Sequence, residues 1–229
     1  MRPVVKICGL TRMEDVLMCV RHGVDVLGFV VDYPHPVPWN IGAEPAKKLV
    51  SAVYKPFETC IVTGGGVQKV LKTALMVRPD YVQLHTRETV EETAYIVKKL
   101  HEYGIKVIKT VYRDTPEKTV AEFSDAGVFA LLLDPRTPEN AETSGQADLS
   151  TFFSFRDIAD CPVILAGGLD AGNVAAYVRT ANPRMVDLMT GVEHSPGIKD
   201  ENKVAALMAA LTECSDLYIM PSSTNPKSG

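Results

Sequence analysis

No apolar run in this 229-residue chain approaches the roughly 18 residues that a membrane-spanning helix needs. The start, Met1-Arg2-Pro3-Val4-Val5-Lys6, enters an apolar run at once and has no signal-peptide pattern, so neither export nor a membrane partner is expected. There is no long basic run, and the formal net charge is −4, which argues against a nucleic-acid surface. The five cysteines, Cys8, Cys19, Cys60, Cys161 and Cys214, form no Cys-x-x-Cys pair. Such scatter in a chain of this length fits reduced thiols in the cytoplasm, not a disulfide framework or a zinc site. Doubly wound sheets carry a Gly-rich phosphate turn after their first strand, and that too is missing: the segment reads Cys8-Gly9-Leu10-Thr11.

What is present is alternation. Short apolar runs, rich in β-branched residues, predict strands over Val4–Leu10, Val26–Val31, Phe57–Val62, Tyr81–His85, Lys106–Tyr112, Phe129–Asp134, Pro162–Ala166 and Met185–Met189. Helical spacing predicts Met13–His22, Glu44–Tyr54, Val67–Met76, Thr89–Tyr103, Pro116–Ser124, a less regular Leu149–Ile158, Ala171–Thr180 and Glu201–Glu213. Strands separated by crossover helices imply a parallel sheet. Eight such units, in a chain close to the roughly 250 residues usual for the fold, predict an α/β protein of the (β/α)8 TIM-barrel type. One domain over 1–214 is expected, followed by a polar, disordered tail over 215–229. Two strand-to-helix connections are long, Asp32–Ala43 and Pro135–Asp148. Both fall on the face where barrels keep their active sites, and the second has the composition of a mobile loop.

Parallel barrel strands are buried on both faces, so polar residues within them need a reason. Alternation points Lys6 and Cys8 into the barrel mouth, with Gln83 and His85 from strand four, Lys109 from strand five, Asp134 from strand six and Asp187 from strand eight. Buried charges must pair. A Lys6–Asp187 brace would satisfy that requirement structurally, whereas acids and bases converging on the mouth would make a site. A lysine beside Cys8 would favour its thiolate. Gly167-Gly168 after strand seven and Thr190-Gly191 after strand eight stand where such barrels hold phosphate.

Lys6-Ile7-Cys8-Gly9-Leu10-Thr11, followed by Glu14-Asp15 and Gly28-Phe29-Val30, resembles the opening of the phosphoribosylanthranilate isomerase family. Val82-Gln83-Leu84-His85, Leu132-Leu133-Asp134, Ala166-Gly167-Gly168-Leu169 with Asn173-Val174, and Val186-Asp187 through Gly191-Val192-Glu193 to Ser195-Pro196-Gly197-Ile198-Lys199-Asp200 resemble its later motifs. The resemblance implies an Amadori rearrangement in tryptophan biosynthesis, free of cofactor and metal, on a small-molecule phosphosugar. It implies Asp134 as general acid and Cys8 as general base, with Gly167, Gly168, Thr190 and Gly191 holding phosphate; Lys6, His85, Arg136 and Asp187 are expected to bind substrate. Monomer and homodimer both remain open. The chain departs from the family where an arginine after strand two meets the anthranilate carboxylate: here Asp32-Tyr33-Pro34-His35-Pro36-Val37-Pro38-Trp39 has none. Arg136 and Trp39 are candidates to serve that end of the substrate. Thr63-Gly64 after strand three and Thr86 after His85 also depart from the family pattern. Two alternatives follow: an isomerase or epimerase of another phosphosugar, and a barrel that binds a phosphorylated metabolite without turnover.

Overall fold

The computed structural model describes residues 2–136 and 145–216, the side chains of 215 and 216 excepted. Among them, eight parallel strands close into a barrel: β1 Val4–Ile7, β2 Val26–Val31, β3 Glu58–Thr63, β4 Tyr81–Leu84, β5 Lys106–Tyr112, β6 Ala130–Asp134, β7 Val163–Ala166 and β8 Met185–Leu188. Each pairs with its neighbour in sequence, and β1 closes the ring through Lys6↔Asp187 on one side and Lys6↔Val26 on the other. The helices are α1 Met13–Arg21, α2 Ala43–Val50, α3 Val67–Val77, α4 Val90–His101, α5 Glu117–Asp125, α6 Leu149–Ile158, α7 Val174–Ala181 and α8 Glu201–Asp216. None is long and apolar enough to cross a membrane. The connection after β6 lies outside the described residues over 137–144, as does the expected tail from 217 on.

Two apolar layers hold the barrel. Between strands and helices lies the larger core, to which β5 sends Val107 and Val111, β6 Leu131 and Leu133, and β8 Val186 and Leu188. Inside the barrel, Val26, Cys60, Tyr81, Ile108, Ala130, Leu132, Ile164 and Met185 form a plug. Alternation along each strand therefore sends one set outward and the other inward. Polar residues sit above the plug because the strands run on past it toward their C-terminal ends. A cavity of about 600 Å³ lined by Lys47, Lys55, Leu75, Arg78 and Asp80 opens on the opposite, N-terminal face and shares no residue with the mouth.

Local chemistry sets the element ends. β1 stops at Ile7, short of the expected Leu10, because Gly9 turns the chain at φ 77° and the Leu10 amide bonds back to Gly28. α4 starts in a capping box, Thr89 accepting from the Glu92 amide and the Glu92 carboxylate from the Thr89 amide. α2 ends at Val50, four residues before the expected Tyr54, and α7 starts at Val174, since Ala171–Asn173 is spent in a turn tied by Asp170 and Asn173.

Lys109 does not point inward. Ile108 belongs to the plug, so Lys109 faces the helices. There its ammonium lies over the Phe123 ring of α5 and donates to Glu88 at 3.0 Å and to the Thr86 carbonyl at 2.6 Å. All six residues from Val107 to Tyr112 are buried, so burial on both faces hid the parity of this strand from its sequence.

Candidate active site

One side of the mouth is built on β1 and β8. Lys6 is fully buried and donates to both oxygens of Asp187 at 2.9 Å. Burial alone would lower the lysine pKa, but the Asp187 carboxylate outweighs it and keeps the ammonium firmly charged. Cys8 follows one pleat further on. Its room is made by Gly28 of β2, where a Cβ would stand 2.9 Å from the Cys8 Cα and 3.0 Å from its Sγ. Burial pushes the Cys8 thiol up, and Lys6, already committed to Asp187, only partly offsets this. The thiolate expected from a neighbouring lysine is therefore not favoured.

The other side is built on β4, β5 and β6. The His85 carbonyl accepts from the hydroxyls of Tyr33 at 3.0 Å and Tyr112 at 3.1 Å. Its ring Nδ1 lies 3.1 Å from the Gln83 amide nitrogen and 3.0 Å from the Thr110 hydroxyl. On the other side of the ring, Nε2 lies 3.5 Å from Asp134 Oδ2. Asp134 also accepts from Arg136: the amide and Nε on Oδ1 and Nη2 on Oδ2, each at 3.0 Å. Burial alone would raise the Asp134 carboxyl, but hydrogen bonds from His85 and Arg136 and the guanidinium charge hold it well below the usual carboxylate range. Lys109 contributes from outside the barrel by pinning Thr86 and Glu88, the residues that follow His85.

The glycine turns lie between these sides. Gly167 takes φ 104° and Gly168 φ 56°, and the Gly167 carbonyl accepts from the Ala147 amide at 3.0 Å. Thr190–Val192 forms one 3-10 turn, and a Cβ on Gly191 would stand 2.0 Å from the Leu169 carbonyl oxygen. Only glycine lets the two turns approach this closely. A buried brace holds the second turn. Glu193 Oε1 accepts from Lys199 Nζ at 2.9 Å and from Trp39 Nε1 at 2.7 Å, and Asp15 accepts from the Lys199 amide at 3.1 Å. Trp39 is thus tied into the brace, its ring edge against Gly9. Among the described residues no cluster of histidine, cysteine and carboxylate side chains could hold a metal.

The mouth thus sets a buried thiol just past β1 against a buried carboxylate at the end of β6, with β7 and β8 and their glycine turns between them. A family model for N-(5'-phosphoribosyl)anthranilate isomerase matches residues 5–210. The chain belongs to the phosphoribosylanthranilate isomerase family. The isomerase of Halobacterium salinarum is 34% identical over 218 residues, covering 93% of this chain and 97% of that protein. The crystal structure of the Thermus thermophilus isomerase superposes with a TM-score of 0.77 at 32% identity, covering 93% of this chain and 99% of that one. A family structure in complex with reduced 1-(o-carboxyphenylamino)-1-deoxyribulose 5-phosphate superposes at 0.74 with 30% identity, covering 93% and 100%.

Within this family frame, the expected mouth residues come together in two groups, Lys6–Cys8–Asp187 and His85–Asp134–Arg136. Read from the sequence, Tyr112 and Thr110 have no role, and Tyr33 and Gly28 stand only as members of longer segments. Tyr112 shares parity with Ile108 and would have been found had the parity of β5 been readable. Two of the chain's departures from the family pattern prove to be neighbours. A Cβ on Gly64 would stand 2.4 Å from the Thr86 hydroxyl oxygen, so Thr86 fits because Gly64 has no side chain.

Proposed function

We propose that the chain converts N-(5'-phosphoribosyl)anthranilate to 1-(o-carboxyphenylamino)-1-deoxyribulose 5-phosphate, an Amadori rearrangement in tryptophan biosynthesis. Asp134, protonated, donates to the furanose ring oxygen as the C1–O bond breaks, and the anilinic nitrogen supplies the pair that forms the Schiff base. Cys8, as thiolate, removes the C2 proton, the C2–H electrons form the C1=C2 double bond of the enolamine, and the C1=N pair of the Schiff base returns to nitrogen. Loss of the C2 hydroxyl proton and protonation of C1 then give the ketone. C2 is oxidised as C1 is reduced, so the chemistry asks for acid and base groups tuned apart and for no external redox partner. Gly167, Gly168, Thr190 and Gly191 hold the phosphate through close backbone approach, and Lys6, His85 and Asp187 contact the sugar. Arg136 meets the anthranilate carboxylate.

The observation that carries this reading is the pairing across the mouth: Cys8 and Asp134 are both buried at strand ends, on opposite sides of the two glycine turns. Reduced cysteines, free in every described case, suit work in the cytoplasm. Complementation of a tryptophan auxotroph lacking the isomerase, with turnover by purified protein, tests the reading. A folded protein that neither complements nor turns the substrate over would end it.

A further inference from the structure

Asp134 presents a difficulty to any acid catalysis. Its two oxygens accept from the Arg136 amide, Nε and Nη2, and His85 Nε2 approaches as well. Adding a proton would set a carboxyl O–H against an N–H. The acid's side chain, 7% exposed, is covered by that of Arg136, which is 36% exposed. The Arg136 stem runs against Gly145, where a Cβ would stand 2.6 Å from its Cγ, so a glycine keeps this path clear. The other titratable groups facing the acid are Tyr112 on β5 and Tyr33 after β2, both neutral with raised pKa values, and Glu88 acts on those two tyrosines. β7, the other neighbour of β6, ends in Ala166-Gly167-Gly168 and brings none.

We infer that Arg136 is a substrate-operated lock on Asp134: the aromatic carboxylate of the ligand draws the guanidinium off the acid, which then takes up the proton it will donate. The inference rests on the functional reading above and assigns specificity to the same event that arms the acid. Balance is simple. One guanidinium moves from one carboxylate to another, and one proton passes from solvent to Asp134. A substrate without the carboxylate would bind through phosphate and sugar and leave the acid locked, so the penalty would fall on kcat as well as on KM.

Calorimetric titration in buffers of different ionisation enthalpy measures the protons taken up on binding. Reduced 1-(o-carboxyphenylamino)-1-deoxyribulose 5-phosphate is compared with its carboxyl-free phenylamino counterpart, so that the phosphate's own titration cancels. Wild type should take up more protons, approaching one, with the carboxylate ligand. In Arg136→Met that difference should vanish and affinity for the carboxylate ligand should fall roughly ten- to a hundredfold, the scale of one charged hydrogen bond. Affinity for the carboxyl-free ligand should stay within about threefold, and Arg136→Lys should restore part of the loss. Equal proton uptake from both ligands, or unchanged carboxylate affinity in Arg136→Met, overturns the lock. Failure of wild type to bind either ligand overturns the functional reading and the lock together.

Discussion

The ammonium of Lys6 reaches both oxygens of Asp187 at 2.9 Å from the adjoining strand, and no part of the lysine is open to solvent. Removing one partner leaves the other charge buried and uncompensated, at a cost of about 3–5 kcal/mol. Asp187→Ala should lose about that much stability in urea unfolding. The double variant Lys6→Met/Asp187→Leu should recover most of it. Equal losses in the single and double variants would show that the pair is not what the barrel depends on here.

Cys8→Ala and Asp134→Asn should each lower kcat by at least about 100-fold, the usual scale for a lost general acid or base. Both variants should unfold as cooperatively as the parent. If each turns over near the parental rate, these two groups do not carry the proton transfers.

The thiol of Cys8 is raised above its ordinary value of 9.0, chiefly by burial. A base that acts as thiolate gains its active form as pH rises. Therefore kcat/KM should still be climbing between about pH 8 and 9.5, and iodoacetamide should label Cys8 slowly at neutral pH and faster in alkali. A profile that is flat across that range would mean that something else sets the base. Cys19 and Cys60, pushed up to about 12, should not label under the same conditions.

The sequence was most legible where periodicity had one buried face or a charge stood at a strand end. Cys8, His85, Asp134 and Asp187 each lie at or near the C-terminal end of a strand. Register did not enter into finding them. Lys109 was misplaced because β5 is buried on both faces. Its partner Glu88 comes from a different connection, and no spacing rule links the two. Gly28 was visible only as part of a motif. Its purpose, making room for Cys8, depends on the pairing of β1 with β2. The Asp15–Lys199–Glu193–Trp39 brace joins the first and last motifs of the chain, and so its residues could be quoted from the sequence but not connected.

That clearance at Gly28 is itself testable. Gly28→Ala places a methyl 2.9 Å from the backbone Cα of Cys8, which cannot yield as the end of a flexible side chain could. Positioning errors of this kind cost activity steeply. The variant should lose about tenfold or more in kcat with little change in phosphate binding, and stability should fall by about 1–3 kcal/mol from overpacking. Activity within twofold of the parent would show that β1 and β2 separate freely at this level.

Glu193 shares one oxygen between Lys199 Nζ and Trp39 Nε1, its own carbonyl accepts from Lys203 Nζ at 2.7 Å, and the Lys199 side chain is wholly buried. This group does not face the reacting atoms; it fixes the 3-10 turn that carries Thr190 and Gly191. Glu193→Gln keeps the shape and removes the charge, leaving a buried ammonium without its counter-ion, so stability should fall by about 3–5 kcal/mol. Trp39→Phe deletes one hydrogen bond to a charged group and should cost about 1.5–3 kcal/mol. If the turn holds phosphate, the thermal protection given by inorganic phosphate should shrink in Glu193→Gln by more than in Trp39→Phe, because the lysine brace is lost only in the first. Full phosphate protection in a destabilised Glu193→Gln protein would separate the brace from the anion site and place phosphate on the turn after β7 alone.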